Sequence, residues 1–163
     1  MKEWIATYNQ ADIIIDNVPT NTIEAAASSG VLVSSTLPRC IQSATYLGRG
    51  NPFSAEEIFC EVDLPHLNWH FPKLPLSLWG IIFRLAWFCG FSPNAEPFYQ
   101  SNERAYVAAQ RLIQLAKDNG SVFLIGHGIM TMLIAKHLLA MGWVGPKLPV
   151  NKYWQFSVFS SET

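Results

Sequence analysis

Two stretches of this 163-residue chain follow one plan, and they constrain its fold more than any other feature. Val31-Leu-Val-Ser34 is a short run of buried-strand type, followed by Ser35-Thr36-Leu37-Pro38-Arg39 and a helical pattern to about Leu47. Ser121-Val-Phe-Leu-Ile125 is another apolar run, followed by Gly126-His127-Gly128 and a helical pattern from Ile129 to Met141. Short apolar runs bounded by turn signals suit strands buried on both faces, as parallel strands are. Strand, turn and helix in close succession are the unit of an α/β fold. The expected class is therefore α/β, with a mostly parallel sheet flanked by helices and ligands at the carboxyl ends of its strands.

The remaining elements are read around these two. Residues 2–10 carry Trp4, Ile5 and Tyr8 at helical spacing, and Ala11 to Asp16 is a β-branched run that fits a strand or an apolar loop. Asn21 to Ser29 reads as a helix, with Asn21 as its cap and Gly30 as its stop. Pro38 suits the first turn of the next helix. Glu57 to Glu61 reads as extended, Ser77 to Phe88 as helical, and Ser101 to Asn119 as the clearest helix. That helix has Tyr106, Ala109, Leu112, Ile113 and Ala116 on its apolar stripe and Gly120 as its stop. Tyr153 to Phe159 alternates apolar and polar residues like a closing edge strand.

Length predicts one domain spanning 1–163. Only 14% of residues are charged and half are hydrophobic, a composition that excludes intrinsic disorder. A net charge of −1 supplies no basic field for a nucleic-acid backbone. The run Leu76 to Phe91 is interrupted by Gly80, Arg84 and Gly90 and is too short to span a membrane. With six Trp and ten Phe and so little charge, some apolar surface is expected to be hidden against a second copy, with Trp79 to Phe91 as the interface of a homodimer. Cys40, Cys60 and Cys89 form no close pair, so they read as small buried residues of a reducing cytosol rather than as disulfides or zinc ligands. The N-terminus has no signal-peptide layout, and the expected location is cytoplasmic.

Both strand-to-helix turns set polar side chains beside unpaired helix N-terminal N–H groups, an arrangement that binds anions. Arg39 adds planar bidentate donors suited to phosphate or carboxylate. The alternative for Arg39 is a solvated first-turn side chain, although the helix dipole disfavours a cation there. His127 is either a core histidine bonded to backbone or a ligand residue whose flanking glycines permit close approach. Glu61, in Ile58-Phe-Cys-Glu61-Val-Asp63-Leu-Pro65, is either a partly desolvated acid for proton transfer or a strand-end acid facing water; Asp63 competes with it for the catalytic role. His66, His70 and His137 show no metal-ligand spacing, and neither a metal nor a cofactor is implied. No dinucleotide fingerprint and no Gly-x-Ser-x-Gly elbow occurs.

In order along the chain, Ser34-Ser-Thr-Leu-Pro-Arg39-Cys-Ile-Gln-Ser43-Ala44, Phe59-Cys-Glu61-Val-Asp-Leu-Pro65 and Phe123-Leu-Ile-Gly-His127-Gly resemble the histidine phosphatase superfamily, the phosphoglycerate mutase-like group. The resemblance implies a three-layer sandwich, a phosphohistidine intermediate, and a small phosphorylated substrate or inorganic phosphate as ligand. It implies phosphate binding by Arg39, His127, Ser35 and Gly128, and proton transfer to the leaving oxygen by Glu61. The short insert after Glu61 favours a phosphatase over a mutase. The family's nucleophile lies in an Arg-His-Gly motif at the end of a first strand, and no Arg-His-Gly occurs in this chain. The expectation is thus a phosphoesterase chain lacking its nucleophile segment and inactive as written, or else a non-catalytic anion-binding module on the same fold. The absent strand is expected between those ending near Ser34 and Ile125. Three arrangements follow: a longer gene that supplies the strand, Ala11 to Asp16 or another subunit filling the gap, or the two strands closing directly on each other.

Overall fold

The structure, a computed structural model, describes residues 13, 15–66 and 75–161. The amphipathic pattern of residues 2–10 lies outside them, as do Trp69 and His70. Of the run 11–16, Ile13, Ile15 and Asp16 are described and none is in a strand; the Ile13 N–H donates to Gln42 Oε1 at 3.0 Å.

The described residues form helix α1 (Thr20–Ser28), strand β1 (Val31–Ser34), helix α2 (Pro38–Gly48), strand β2 (Ser54–Ala55), a 3-10 turn (Glu57–Phe59), helices α3 (Leu76–Phe88) and α4 (Phe98–Asn119), strand β3 (Val122–Ile125) and helix α5 (Gly128–Ala140). Their sheet is wholly parallel, in the order β2-β1-β3. Val31, Val33, Val122 and Leu124 face one side of it, where they meet α4, α5, Phe59 and Trp87. Leu32, Phe123 and Ile125 face the other, against Ala26 of α1 and Ala44 and Leu47 of α2. Helices on both faces of a parallel sheet make the expected three-layer sandwich.

β1 and β3 are direct neighbours, in register from Val31 opposite Val122 to Ser34 opposite Ile125. No strand lies between them, so of the three arrangements the structure shows the two strands closing directly on each other. β1 is paired on both sides and its last three residues are at most 5% exposed. Among the described residues β3 is the sheet edge, and all four of its residues are only partly buried. Because Ser121 O and Ile125 O accept from β1, the alternation of a parallel ladder turns the backbone groups of Val122 and Leu124 the other way, away from β1.

Four further elements depart from the sequence expectation. Asn21 does not cap α1: the helix begins a residue earlier behind Pro19, whose carbonyl accepts from Thr22 and Ile23. Glu57 to Glu61 is not extended but enters through the 3-10 turn. On α4 the buried stripe runs through Ser101, Ala105, Ala108, Ala109, Leu112 and Leu115, leaving Tyr106 44% exposed. Tyr153 to Phe159 forms no strand; an isolated antiparallel bridge joins Val144 to Ser160 instead, and Trp154 turns the chain at φ 59°. The alternation of apolar residues there comes from single anchors: Trp154 and Phe156 reach the α1 side of the sheet, while Tyr153 is solvent-exposed.

Candidate active site

The site forms where β1 and β3 end side by side. Parallel pairing brings the turns after Ser34 and Ile125 together, and the Ser35 N–H donates to Ile125 O at 3.2 Å. From one turn α2 starts with Pro38 in its first turn; from the other α5 starts behind His127. Ser35, Arg39, Cys40 and His127 meet there although they lie far apart in the sequence.

His127 is nearly buried, at 9% exposed, and both ring nitrogens are engaged. Nδ1 lies 3.2 Å from an Arg39 guanidinium nitrogen, and Nε2 lies 2.7 Å from Ser35 Oγ and 3.4 Å from Cys40 Sγ. Arginine can only donate, so Nδ1 accepts and the neutral ring carries its proton on Nε2, aimed at Ser35 Oγ. Burial, with the Arg39 cation beside it, lowers His127 from its ordinary 6.5 to about 4. The ring is therefore neutral at pH 7. An anion entering between Arg39 and Nδ1 would favour protonation of the ring and turn Nδ1 from an acceptor into a second donor beside Arg39.

Glu61 is not at a strand end, and its half-buried carboxylate is turned onto a helix N-terminus. Its Oε1 accepts from the Met130 N–H at 3.0 Å and from Val62 N at 3.0 Å, and its Oε2 accepts from the Ile129 N–H at 3.2 Å. A side chain from outside the helix thus caps α5, taking N–H groups that have no partner within the helix. Arg104 of α4 supports it by donating to Ile58 O at 3.1 Å and Cys60 O at 2.8 Å while gripping Glu96 with two further bonds. Burial pushes the Glu96 carboxyl up, but hydrogen bonding from Arg104 and Ser101, together with the Arg104 charge, holds the group below its ordinary value. Glu61→Gln keeps an acceptor but removes the charge from the helix N-terminus. Urea unfolding is expected to show a loss of about 0.5–2 kcal/mol; no change would mean that the carboxylate does not stabilise α5.

The structure therefore brings together Arg39, His127 and Ser35, with Gly128 opening α5 beside them and Glu61 on its next two residues. A Cβ on Gly128 would lie 2.8 Å from Asn151 Oδ1, so a side chain there would have to displace the Asn151 amide of the C-terminal segment. The cysteines are not uniformly buried, as the sequence suggested: Cys40 is buried, Cys60 partly so and Cys89 exposed. Cys40 is the site residue that sequence reasoning missed; its only signal is its position directly after Arg39, in the first turn of α2. Burial pushes its thiol up, ahead of the opposing effects of Ser35 and Arg39. Cys60 Sγ stands 3.2 Å from Thr36 Oγ1. His137 bonds Asn102 on the far side of α5, and no group of three His, Cys, Asp or Glu able to hold a metal ion occurs among the described residues. No helix among them is long and apolar enough to cross a membrane.

A family model described as histidine phosphatase superfamily (branch 1) matches residues 10–160. The chain belongs to the histidine phosphatase superfamily. Solved structures agree with this fold. One titled mycobacterial hydrolase 1 is 21% identical, with a TM-score of 0.56, and the match covers 81% of this chain and 69% of that one. A mycobacterial glucosyl-3-phosphoglycerate phosphatase in complex with inorganic phosphate is 18% identical, with a TM-score of 0.55 over 86% of this chain and 81% of that one. The product of an open reading frame from Mycobacterium tuberculosis is 12% identical, with a TM-score of 0.54 over 96% and 90% of the two chains. A search of the curated proteins finds no match. Within this superfamily's fold, β1 and β3 are the strands that deliver Arg39 and His127.

Proposed function

We propose that this chain carries the anion-holding part of a histidine phosphatase-type phosphoesterase site, for inorganic phosphate or a small phosphorylated substrate, and lacks the nucleophile that would complete it. The observation that carries this reading is the Arg39–His127–Ser35 cluster at the carboxyl ends of two adjacent parallel strands and the start of α5. Phosphoryl transfer depends mainly on positioning and on stabilising oxygen charge, which an arginine and a protonatable histidine supply. Glu61 stands next along the α5 N-terminus; to protonate a leaving oxygen it would have to release Ile129 and Met130. A nucleophile would have to arrive on a further segment. The edge of β3 that no described strand pairs leads to Gly126 and His127, so a strand paired there in parallel would end at the site.

Inorganic phosphate is expected to protect the fold against thermal unfolding, by about 1.4 kcal/mol at tenfold excess over Kd. Arg39→Ala should remove that protection, whereas Arg49→Ala, an equal charge change at the exposed end of α2, should keep it. No protection at millimolar phosphate, or equal loss in both variants, would sink the reading.

The protonation of His127 adds a pH signature. Without ligand, a neutral buried ring lets the unfolded chain take up the proton first. Its contribution to stability, about 3 kcal/mol, is full above the ordinary histidine value and is lost as pH falls toward the folded value. A bound dianion reverses that penalty, so sulfate, which stays doubly charged throughout, should protect more strongly at about pH 5 than at about pH 8. The non-catalytic anion-binding module is favoured by one observation, the missing Arg-His-Gly, and differs from the first reading only in whether the site is ever completed.

A further inference from the structure

Helix α3 is apolar on two opposite faces. Phe83 and Trp87 turn inward and are buried, at 3% and 0% exposed. On the opposite face Leu78, Ile81, Ile82, Leu85 and Phe88 follow one another at three- and four-residue spacing, and Phe91 continues the patch past the helix end. Their exposures are 41%, 58%, 39%, 62%, 41% and 45%, unusual for so many large side chains in one place. We propose that this outward face of α3 is a homodimer interface, on which a second copy of the chain packs its own α3.

Area and charge select that occupant. The six side chains expose on the order of 500 Å² of apolar surface, as much as the largest patch of a typical monomer. With the neighbouring backbone this approaches the ~800 Å² that each partner buries in a stable interface. The patch carries no charge. Arg84, the one charged residue of α3, turns its guanidinium inward, where it donates to Val62 O at 3.3 Å and lies 5.4 Å from the centre of the Trp87 ring. A neutral, wholly apolar stripe meets no like charge when it packs on its own copy, and a two-fold pairing uses the same patch twice and closes. An ionic partner finds nothing to pair with. A lipid surface is disfavoured too, because interfacial helices combine their apolar face with Lys and Arg on the polar one, and α3 has no outward base. This inference does not depend on the phosphate reading.

The intact chain is expected to sediment as a dimer at micromolar concentration. Leu85→Glu and, separately, Ile81→Lys should each weaken association by at least about tenfold. Both positions are exposed in the single chain, so circular dichroism should show the fold unchanged. Cys89 gives an independent readout. It lies four residues after Leu85 on the same stripe and its thiol is exposed. Its alkylation should slow as wild-type concentration rises and remain fast in both variants. Three results would overturn the proposal: a wild-type monomer throughout the micromolar range, a dimer indifferent to both substitutions, or transfer to lipid vesicles in place of self-association.

Discussion

Mixed with an aryl phosphate such as p-nitrophenyl phosphate, the 163-residue chain is expected to release no more phenol than buffer alone. Each candidate nucleophile in the site is disarmed by its surroundings. His127 keeps its proton on Nε2, where Ser35 takes it, and its free lone pair on Nδ1 is covered by Arg39. Ser35 is fully buried, with its hydroxyl held in a hydrogen bond to that ring. Cys40 is buried with its thiol pushed up, so it is protonated and a poor nucleophile. Binding and charge stabilisation remain, but loss of the nucleophile removes on the order of a millionfold from the rate of an enzyme that depends on one. Initial rates in the wild type and in His127→Ala, Ser35→Ala and Cys40→Ser decide the matter. Turnover above background that disappears in one of the three would identify a nucleophile inside this chain and defeat the expectation.

Trp87→Ala is expected to cost about 3–5 kcal/mol, a large share of the 5–15 kcal/mol that holds a typical domain together. Trp87 is 0% exposed and joins three parts of the fold. Its ring meets Phe88 and Phe98 edge to face, both at 5.1 Å, and its indole N–H donates to Glu96 O at 2.8 Å. Truncation leaves a cavity and an unsatisfied carbonyl at the place where α3, the 89–97 loop and the start of α4 lock together. That lock also carries Glu96, which holds Arg104 and through it the turn before Glu61, so disorder there would reach the site. Urea unfolding, with Tyr153→Ala as a control at an 88% exposed aromatic, provides the measurement. A loss below about 1 kcal/mol, no more than a surface change, would mean that α3 is not anchored through this ring.

Much of the site was legible in the sequence because it is local. Arg39 and His127 each lie within a few residues of an apolar strand end, and strand, turn and helix start are all written in contiguous residues. Pro38 and Gly120 were equally readable, one suited to a first helical turn and the other left-handed at φ 80° where α4 stops. Glu61 was less so. Its residue type and order along the chain pointed to the site, but its bonds to Ile129 and Met130 depend on a 3-10 turn that Arg104 holds from another helix.

Short-range order and composition are enough to specify the α/β class, the two strand-to-helix turns and the absence of an Arg-His-Gly motif. Long-range packing sets β1 beside β3, brings Cys40 to His127, keeps Tyr153 to Phe159 out of a strand and leaves α3 apolar on both sides. Alternation can mark a strand-like pattern, but it cannot say whether a partner edge is within reach. Hydrophobicity can mark a helix for burial, but which face the rest of the chain covers is settled by where distant segments pack.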